Sequence, residues 1–497
     1  MTIDSGSNPF DDDKLKEECA VFGIFGTVDA SRLTALGLHA LQHRGQEATG
    51  IVSFDGREFH AHRELGHVGD VFDKDRGTVE RLAGHAAIGH NRYSTTGDPM
   101  VRNIQPLFAD FEFGGLAVAH NGNLTNALQL RRELVQGGSI FQSTTDTETL
   151  IHLLAHAQGS LTERLIAALR RVEGAYSLVC LSRKKMIGVR DPMGVRPLVL
   201  GQMTDPNSGT PIHILASETC AFDIIGAEKV RDIQPGELIV IEEGGKVYSQ
   251  FPFPKMPERF CVFEYIYFSR PDSIVEGQSV YEARKAIGRE LAREHPVQAD
   301  VVVPIPDSGV PSAIGYAEES QTPFQYGIIR NHYVGRTFIE PTDEIRHLGV
   351  KLKHNANRAV VGGKRVVLVD DSIVRGTTSR KIVEMIRAAG ATEVHMCISS
   401  PPTKNSCYYG VDTPKRKELM AARMTIEEMR KEIGCDTLTF ISMDGLYRAM
   451  GLPARDNENP AFCDACFSGD YPIRLTDVVQ SDDHPAQLSL LREQKTG

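Results

Sequence analysis

Two distant stretches of the chain carry residue types whose order can do chemistry. One is Val366-Val-Leu-Val-Asp-Asp-Ser-Ile-Val-Arg-Gly-Thr-Thr-Ser379, an apolar run that delivers Asp370 and Asp371 together and continues through Ser372, Arg375, Gly376, Thr377 and Thr378. A loop of this kind leading into a helix turns backbone N–H groups inward, and the helix N-terminus adds positive potential, so the pair cradles a phosphate monoester. Hydroxyls of Ser372, Thr377 and Thr378 add donors, and the two carboxylates suit a sugar diol or a hard cation such as Mg²⁺. The other stretch is Glu17-Glu-Cys-Ala-Val-Phe-Gly23, a cysteine at the head of an apolar run behind an acidic leader. A thiol of pKa about 8.5 must lose its proton to attack a carboxamide, and a freed α-amino group of pKa about 7.7–8.0 can take it. Cleavage after Glu18 would make Cys19 both nucleophile and its own base.

The elements around the phosphate loop read as buried parallel strands and helices. Runs at 301–303 and 366–369 are continuous Val and Leu, the pattern of strands covered on both faces. Ile382, Ile386 and Ala389 recur at helical spacing until Gly390, and 393–399 predicts a further strand, completing a βαβ unit. A second loop, Pro304-Ile-Pro-Asp-Ser-Gly-Val-Pro311, puts Asp307 and Ser308 at a strand's carboxyl end, where open α/β sheets bind ligands. Between the loops lies Arg330-Asn-His-Tyr-Val-Gly-Arg-Thr-Phe-Ile-Glu-Pro341, followed by Arg346, Lys351 and Lys353. Arg336 there is placed to meet phosphate charge, which guanidinium pairs with well.

The first half has a different texture. Short apolar segments at 21–25, 116–119, 177–181, 198–200 and 237–242 alternate with Gly, Asn and Asp, and helical patterns occur at 33–41 and about 146–156. That mixture predicts strands in two sheets with helices packed outside. Thr145 and Glu148 form a capping-box pattern at the start of the second helix. Residues 251–257 hold three prolines, which supply no ladder donors, and read as a linker. The expected division is a leader at 1–18, a first domain at 19–252, a second at 258–456 and a tail at 457–497.

Composition bounds the partners. The chain has 497 residues, room for about two large domains or three ordinary ones. Its 55 Lys and Arg stand against 65 Asp and Glu, a net charge of −10, which argues against nucleic acid as the main partner because that binding rests on neutralising phosphates. Mean hydropathy is −0.23 and no run approaches the roughly 18 apolar residues of a membrane span. The leader holds Asp4, Asp11, Asp12 and Asp13 with no apolar stretch, which argues against a secretory signal and for the cytoplasm. Nine cysteines are few for this length, and in a reducing compartment they favour catalytic or metal-binding thiols. Cys463 and Cys466 have the spacing that grips one metal centre, and Cys261 and Cys407 are further candidates. Four thiols alone leave zinc and an iron–sulfur cluster equally open. Cys180, Cys220, Cys397 and Cys435 sit in apolar segments and are expected in the core.

Several further stretches carry a resemblance. Cys19 with Leu41-Gln-His-Arg-Gly-Gln46, His90-Asn-Arg-Tyr-Ser-Thr-Thr-Gly97, Ala119-His-Asn-Gly-Asn-Leu124, Thr144-Thr-Asp-Thr-Glu148, Arg190-Asp-Pro-Met-Gly-Val-Arg-Pro197 and Ala216-Ser-Glu218 resembles the class II, N-terminal-nucleophile glutamine amidotransferase domain. Residues 366–379 resemble the type I phosphoribosyltransferase signature. The resemblance implies an α+β αββα sandwich glutaminase followed by a doubly wound α/β domain that binds phosphoribosyl pyrophosphate (PRPP) with Mg²⁺. It assigns Asn121 and Gly122 to an oxyanion hole, Arg92 to the glutamine α-carboxylate and Asp146 to its α-ammonium. It assigns Asp307, Ser308, Arg336, Asp370, Asp371, Ser372, Arg375, Gly376, Thr377 and Thr378 to PRPP, with Ser308, Asp370 and Asp371 near Mg²⁺. Ala20 stands where relatives often have Gly.

Together the halves resemble the glutamine PRPP amidotransferases that carry a propeptide and a [4Fe–4S] cluster, which implies Cys261, Cys407, Cys463 and Cys466 as cluster ligands. The expected function is transfer of glutamine nitrogen to C1 of PRPP, giving 5-phosphoribosylamine, glutamate and pyrophosphate. Purine nucleotides are candidate feedback inhibitors, and a homotetramer is the implied assembly. The rival readings are another class II amidotransferase and a PRPP-sensing regulator; the phosphate loop argues against the first, the Cys19, Asn121 and Asp146 constellation against the second.

Overall fold

A computed structural model describes residues 19–73, 76–92, 100–206, 209–331 and 354–478. The first half folds as two stacked antiparallel sheets. One runs in the order Glu228–Asp232, Val199–Thr204, Pro211–Ala216, Ala20–Phe25, Ala86–Arg92, Ala48–Phe54, Phe59–Leu65. The other runs Lys246–Gln250, Leu238–Glu242, Lys185–Arg190, Gly174–Ser182, Gly114–Leu124, Leu107–Phe111.

Strand alternation sorts the residues into layers. Val21, Ile88, Ala117, Ala119 and Val179 pack together between the sheets. Ala20 and Phe22 point the other way, towards the helix Ala30–Ala40. Leu116 and Val118 face the helices Ala127–Gln136, Thr147–His156 and Leu161–Leu169 on the far side. The result is the four-layer αββα sandwich expected.

The second half is built on four parallel strands in the order Val301–Pro304, Arg365–Asp370, Glu393–Ile398, Thr437–Phe440. Val302, Val367 and Val369 pack on one face, with Ile287 and Leu291 of the helix Val280–Glu294. Val301, Val303, Val366 and Leu368 pack on the other, with Ile382, Val383 and Ile386 of the helix Thr377–Ala388. Apolar side chains on both faces are what continuous Val and Leu runs encode, and they make the sheet doubly wound as expected.

The tail does not stand apart. Phe462–Cys463 pairs in parallel with Phe260–Cys261, so the last described part of the chain is tied to the start of the second domain. Beyond it, Asp477 accepts the N–H groups of Leu128 and Gln129 at 2.7 and 3.0 Å, capping the helix Ala127–Gln136 of the first domain.

Candidate functional site

The thiol site lies at one end of the layer between the first two sheets. Ala20 pairs with Asn91, so the same register extended by one residue sets Cys19 across from Arg92. Both side chains share the inward face of Val21 and His90 by alternation. On the facing sheet, Asn121 shares the inward face of Ala119. His90 Nε2 lies 3.0 Å from the carbonyl oxygen of His120 and joins the two sheets at this level. Burial holds the His90 imidazole neutral, with a pKa lowered to about 3.

Asn121 is fully buried, and among the described residues neither its Oδ1 nor its Nδ2 has a hydrogen-bond partner. A buried amide left unpaired costs about 1–3 kcal/mol, so its presence fits a group kept for a ligand. Gly122 follows with φ +138°, and a Cβ there would collide with the carbonyl of Ala175. Only glycine lets the backbone N–H take this direction. An amide side chain and a backbone N–H at the same end of the layer as a thiol are donors of the kind an acyl oxyanion requires.

Asp146 is also buried; its Oδ2 accepts the Leu124 N–H at 2.9 Å and its Oδ1 lies 3.7 Å from His120 Nδ1. Burial opposes its ionisation, but His120 and the N–H donors outweigh it and hold the carboxyl below the usual range. The capping box expected from Thr145 and Glu148 does not form. Asp146 occupies the cap position, and Glu148 reaches backward to accept the N–H groups of Gln142 and Ser143 and the Ser143 hydroxyl, each at 2.6 Å. Those residues precede the helix, so the carboxylate closes the incoming loop instead of the first turn.

The phosphate site sits where two parallel strands end side by side. Pro304 pairs with Val369, and Ile305 N–H donates to the Val369 carbonyl at 2.9 Å, so the turn at 306–309 with Asp307 and Ser308 abuts Asp370 and Asp371. Asp371 is buried; its Oδ1 accepts the Ser372 hydroxyl at 2.7 Å, while its Oδ2 has no hydrogen-bond partner among the described residues. An unpaired carboxylate oxygen at a strand end suits a hard cation. Gly376 has φ +83° and opens the helix Thr377–Ala388, bringing Thr377 and Thr378 to its N-terminus. Ser372 was expected to donate to phosphate; here its hydroxyl serves Asp371. Arg375 pairs with Glu418 at 2.6 Å and Arg330 pairs with Asp307. Arg336, Arg346, Lys351 and Lys353, the leader, and residues 93–99 lie outside the described residues.

Cys261 and Cys463 stand opposite each other in the short parallel pair, and Cys407 and Cys466 lie within their electrostatic reach. Burial first, then the neighbouring thiols, pushes Cys463 up to about 12 and raises Cys261 and Cys466 as well. Tyr409 N–H donates to Cys407 Sγ at 3.3 Å. Among the described residues no three His, Cys, Asp or Glu converge on a single metal ion. Cys180, Cys220, Cys397 and Cys435 are buried as expected.

Sequence reasoning gave no role to the charges between the sites. Arg44, 1% exposed, pairs with Glu218 at 2.6 Å and with Glu264 of the second domain at 2.6 Å. Its Nε also donates to the Cys19 carbonyl at 3.5 Å. The motif at 41–46 contained the signal, but its partners are too distant in sequence to read.

Comparison with known proteins matches both halves. A glutamine amidotransferase domain family matches residues 90–223, and a phosphoribosyl transferase domain family matches residues 272–418. The chain is 56% identical to an amidophosphoribosyltransferase of Rhizobium etli, covering 95% of each chain. It is 48% identical to an amidophosphoribosyltransferase of Bacillus subtilis, over 93% of this chain and 95% of that one. An Arabidopsis thaliana chloroplastic amidophosphoribosyltransferase is 50% identical over 95% of this chain and 81% of that one. A solved glutamine PRPP amidotransferase from B. subtilis, complexed with ADP and GMP, superposes with TM-score 0.86 at 47% identity, covering 93% of this chain and 99% of that one.

Proposed function

The chain belongs to the amidophosphoribosyltransferase family, and we propose that Cys19 and the crevice between Asp307 and Asp371 are the two halves of its coupled active centre. The enzyme joins a glutamine amidotransferase domain to a phosphoribosyltransferase domain and opens purine synthesis, converting glutamine, PRPP and water to 5-phosphoribosylamine, glutamate and pyrophosphate.

In the first site the Cys19 amine takes the thiol proton and the thiolate attacks the glutamine carboxamide. Asn121 Nδ2–H and Gly122 N–H receive the developing oxyanion, which is worth roughly 3 kcal/mol per donor. Collapse expels ammonia with the proton and leaves a thioester, which water hydrolyses to glutamate. Arg92 and Asp146 orient the substrate by its α-carboxylate and α-ammonium. This half requires the leader to be removed after Glu18. The observation that carries it is the unpaired amide of buried Asn121.

In the second site ammonia attacks C1 of PRPP and displaces pyrophosphate. Thr377, Thr378 and the N-terminus of their helix hold the 5-phosphate, Asp307 and Ser308 face the pyrophosphate, and Asp370 and Asp371 hold the ribose hydroxyls. The unpaired Asp371 Oδ2 fits Mg²⁺, with Asp370 and Ser308 nearby; the ion when bound offsets charge on the departing pyrophosphate. Ammonia exposed to water at neutral pH is mostly protonated and non-nucleophilic, so transfer runs through a passage that excludes water.

Cys261, Cys407, Cys463 and Cys466 fit a structural [4Fe–4S] cluster joining the tail to the second domain. The reading extends to a cytoplasmic homotetramer inhibited by purine nucleotides, in line with the nucleotide-bound B. subtilis relative. Among the described residues no helix is long and apolar enough to cross a membrane. Glutaminase assays with and without PRPP, N-terminal sequencing and iron analysis test the set together. PRPP-independent glutaminase, a retained leader in active enzyme, or stoichiometric zinc without iron would each overturn its part.

A further inference from the structure

Several residues after Asn121 are held from the second domain and the tail. Gly410, in the loop that follows the strand Glu393–Ile398, has φ +118° and packs directly on Gly122. A Cβ at Gly410 would lie 3.0 Å from Gly122 Cα and 3.1 Å from its carbonyl carbon, tight enough that the Gly122 backbone must give by a few tenths of an ångström. Asn123 Nδ2 donates to the Tyr408 carbonyl at 2.9 Å. Arg196, fully buried in the first domain, donates to the Tyr409 carbonyl from Nε at 2.8 Å and from Nη2 at 2.7 Å. Further along, Thr125 Oγ1 donates to the Arg474 carbonyl at 2.7 Å, and the Thr125 carbonyl accepts the Asp477 N–H at 2.9 Å.

These contacts fall on the strand end whose backbone must be aimed. Gly122 has a conformation that favours glycine, and glycine constrains its own backbone least. Its N–H direction is therefore set by what packs around it. On one side that is the neighbouring strand, where Tyr176 is its partner and the Ala175 carbonyl lies against it; on the other it is Gly410. A side chain at Gly410 would press on the Gly122 backbone, while one at Gly122 would strike the Ala175 carbonyl of its own sheet.

We infer that the backbone of Tyr408, Tyr409 and Gly410 is the positioning element of the oxyanion hole, so that the second domain completes the glutaminase site of the first. The inference rests on the reading of Asn121 and Gly122 as the oxyanion donors. Gly410 is a positioning residue; it touches no substrate and acts through the direction of the Gly122 N–H. Misplacing a catalytic group by about 1 Å can lower a rate about 10²-fold, and only the step that develops the oxyanion would register it. Glutamine binding through Arg92 and Asp146 would not.

The test uses full-length enzyme with its leader removed. Gly410→Ala is expected to lower kcat for glutamine hydrolysis by about 10-fold or more, with KM for glutamine and the ammonia-dependent synthesis of phosphoribosylamine within about twofold of wild type. Unchanged glutamine kcat, or equal loss of both reactions, overturns the inference. If Gly410→Ala yields no folded enzyme, Asn123→Ala decides: a fall in glutamine kcat with ammonia-dependent synthesis intact supports the brace, and an unchanged kcat overturns it. Asn121→Ala separates the two readings. If Asn121→Ala hydrolyses glutamine normally, the oxyanion assignment fails; if it loses the activity while Gly410→Ala and Asn123→Ala keep it, only the brace fails.

Discussion

Arg44 and Glu264 form a buried ion pair across the two domains, Nη2 to Oε1 at 2.6 Å and Nη1 to Oε2 at 2.9 Å, while the same guanidinium donates to the Cys19 carbonyl. Glu264 also accepts the Ser269 hydroxyl at 2.6 Å, and Ser269 in turn accepts Arg284 through its carbonyl at 2.7 Å. The peptide that carries the nucleophile is thus anchored to the second domain by charge. Removing one member of a buried pair leaves the other uncompensated, at about 3–5 kcal/mol. Arg44→Leu, which leaves Glu218 to His43 at 2.7 Å and Glu264 to Arg196 at 3.6 Å, is expected to lower the melting temperature clearly and to reduce glutamine-dependent synthesis more than ammonia-dependent synthesis. Glu264→Gln leaves Arg44 with Glu218 and is expected to be milder on both measures. Thermal unfolding and the ratio of the two rates check this, and an Arg44→Leu enzyme with wild-type stability would contradict it.

The nucleophile and its donors separate from the transferase by substitution. Cys19→Ala is expected to abolish glutamine use while ammonia-dependent synthesis persists. Asn121→Ala is expected to lower glutamine-dependent kcat by about 10²–10³, again sparing the ammonia reaction. Steady-state kinetics with each nitrogen source decide both.

The parts of the site legible in the sequence are those whose causes are local. A strand, two acids and Gly-Thr-Thr before a helix specify their own geometry, and Gly376 with its positive φ sits where that order requires. The layering of the first half followed from short apolar runs. What sequence reading missed depends on contacts between residues far apart. Arg44 meets Glu264 across 220 positions, and Asp477 caps a helix that lies 349 positions upstream. Glu148 shows the converse failure: its spacing from Thr145 was right for a capping box, but the backbone N–H groups of Gln142 and Ser143 offered the carboxylate stronger partners. Gly410 carried no signal, because a glycine's reason is the neighbour it makes room for.

Asp371 tests the second site. Its Oδ1 is occupied by the Ser372 hydroxyl, and its Oδ2 has no hydrogen-bond partner among the described residues. Asp371→Asn removes the charge while keeping the shape. It is expected to impair glutamine- and ammonia-dependent synthesis alike and to raise the Mg²⁺ concentration needed for half-maximal rate. A selective loss of the glutamine reaction would place Asp371 outside the sugar-phosphate site.

Glu148 ties the loop at 142–143 to the helix that begins beside Asp146, and it does so as a carboxylate. Burial favours its neutral form, yet the side chain of His152, the N–H groups of Gln142 and Ser143 and the Ser143 hydroxyl outweigh that and lower its pKa to about 2. A carboxyl whose pKa falls on folding binds fewer protons in the native state than in the unfolded one, so it stabilises the fold once the pH is above its ordinary value. That ordinary value is 4.5. Its contribution is therefore complete above about pH 4.5 and is lost as the pH falls towards about 2. Glu148→Gln replaces hydrogen bonds to a charged group, each worth roughly 1.5–3 kcal/mol, with weaker neutral ones, and keeps the size of the side chain. The variant is expected to melt below wild type at pH 7 and to converge with it as the pH is lowered through that window. Melting curves taken from pH 7 downwards measure the convergence, and a gap that stays constant with pH would show that Glu148 holds the loop by shape and not by charge.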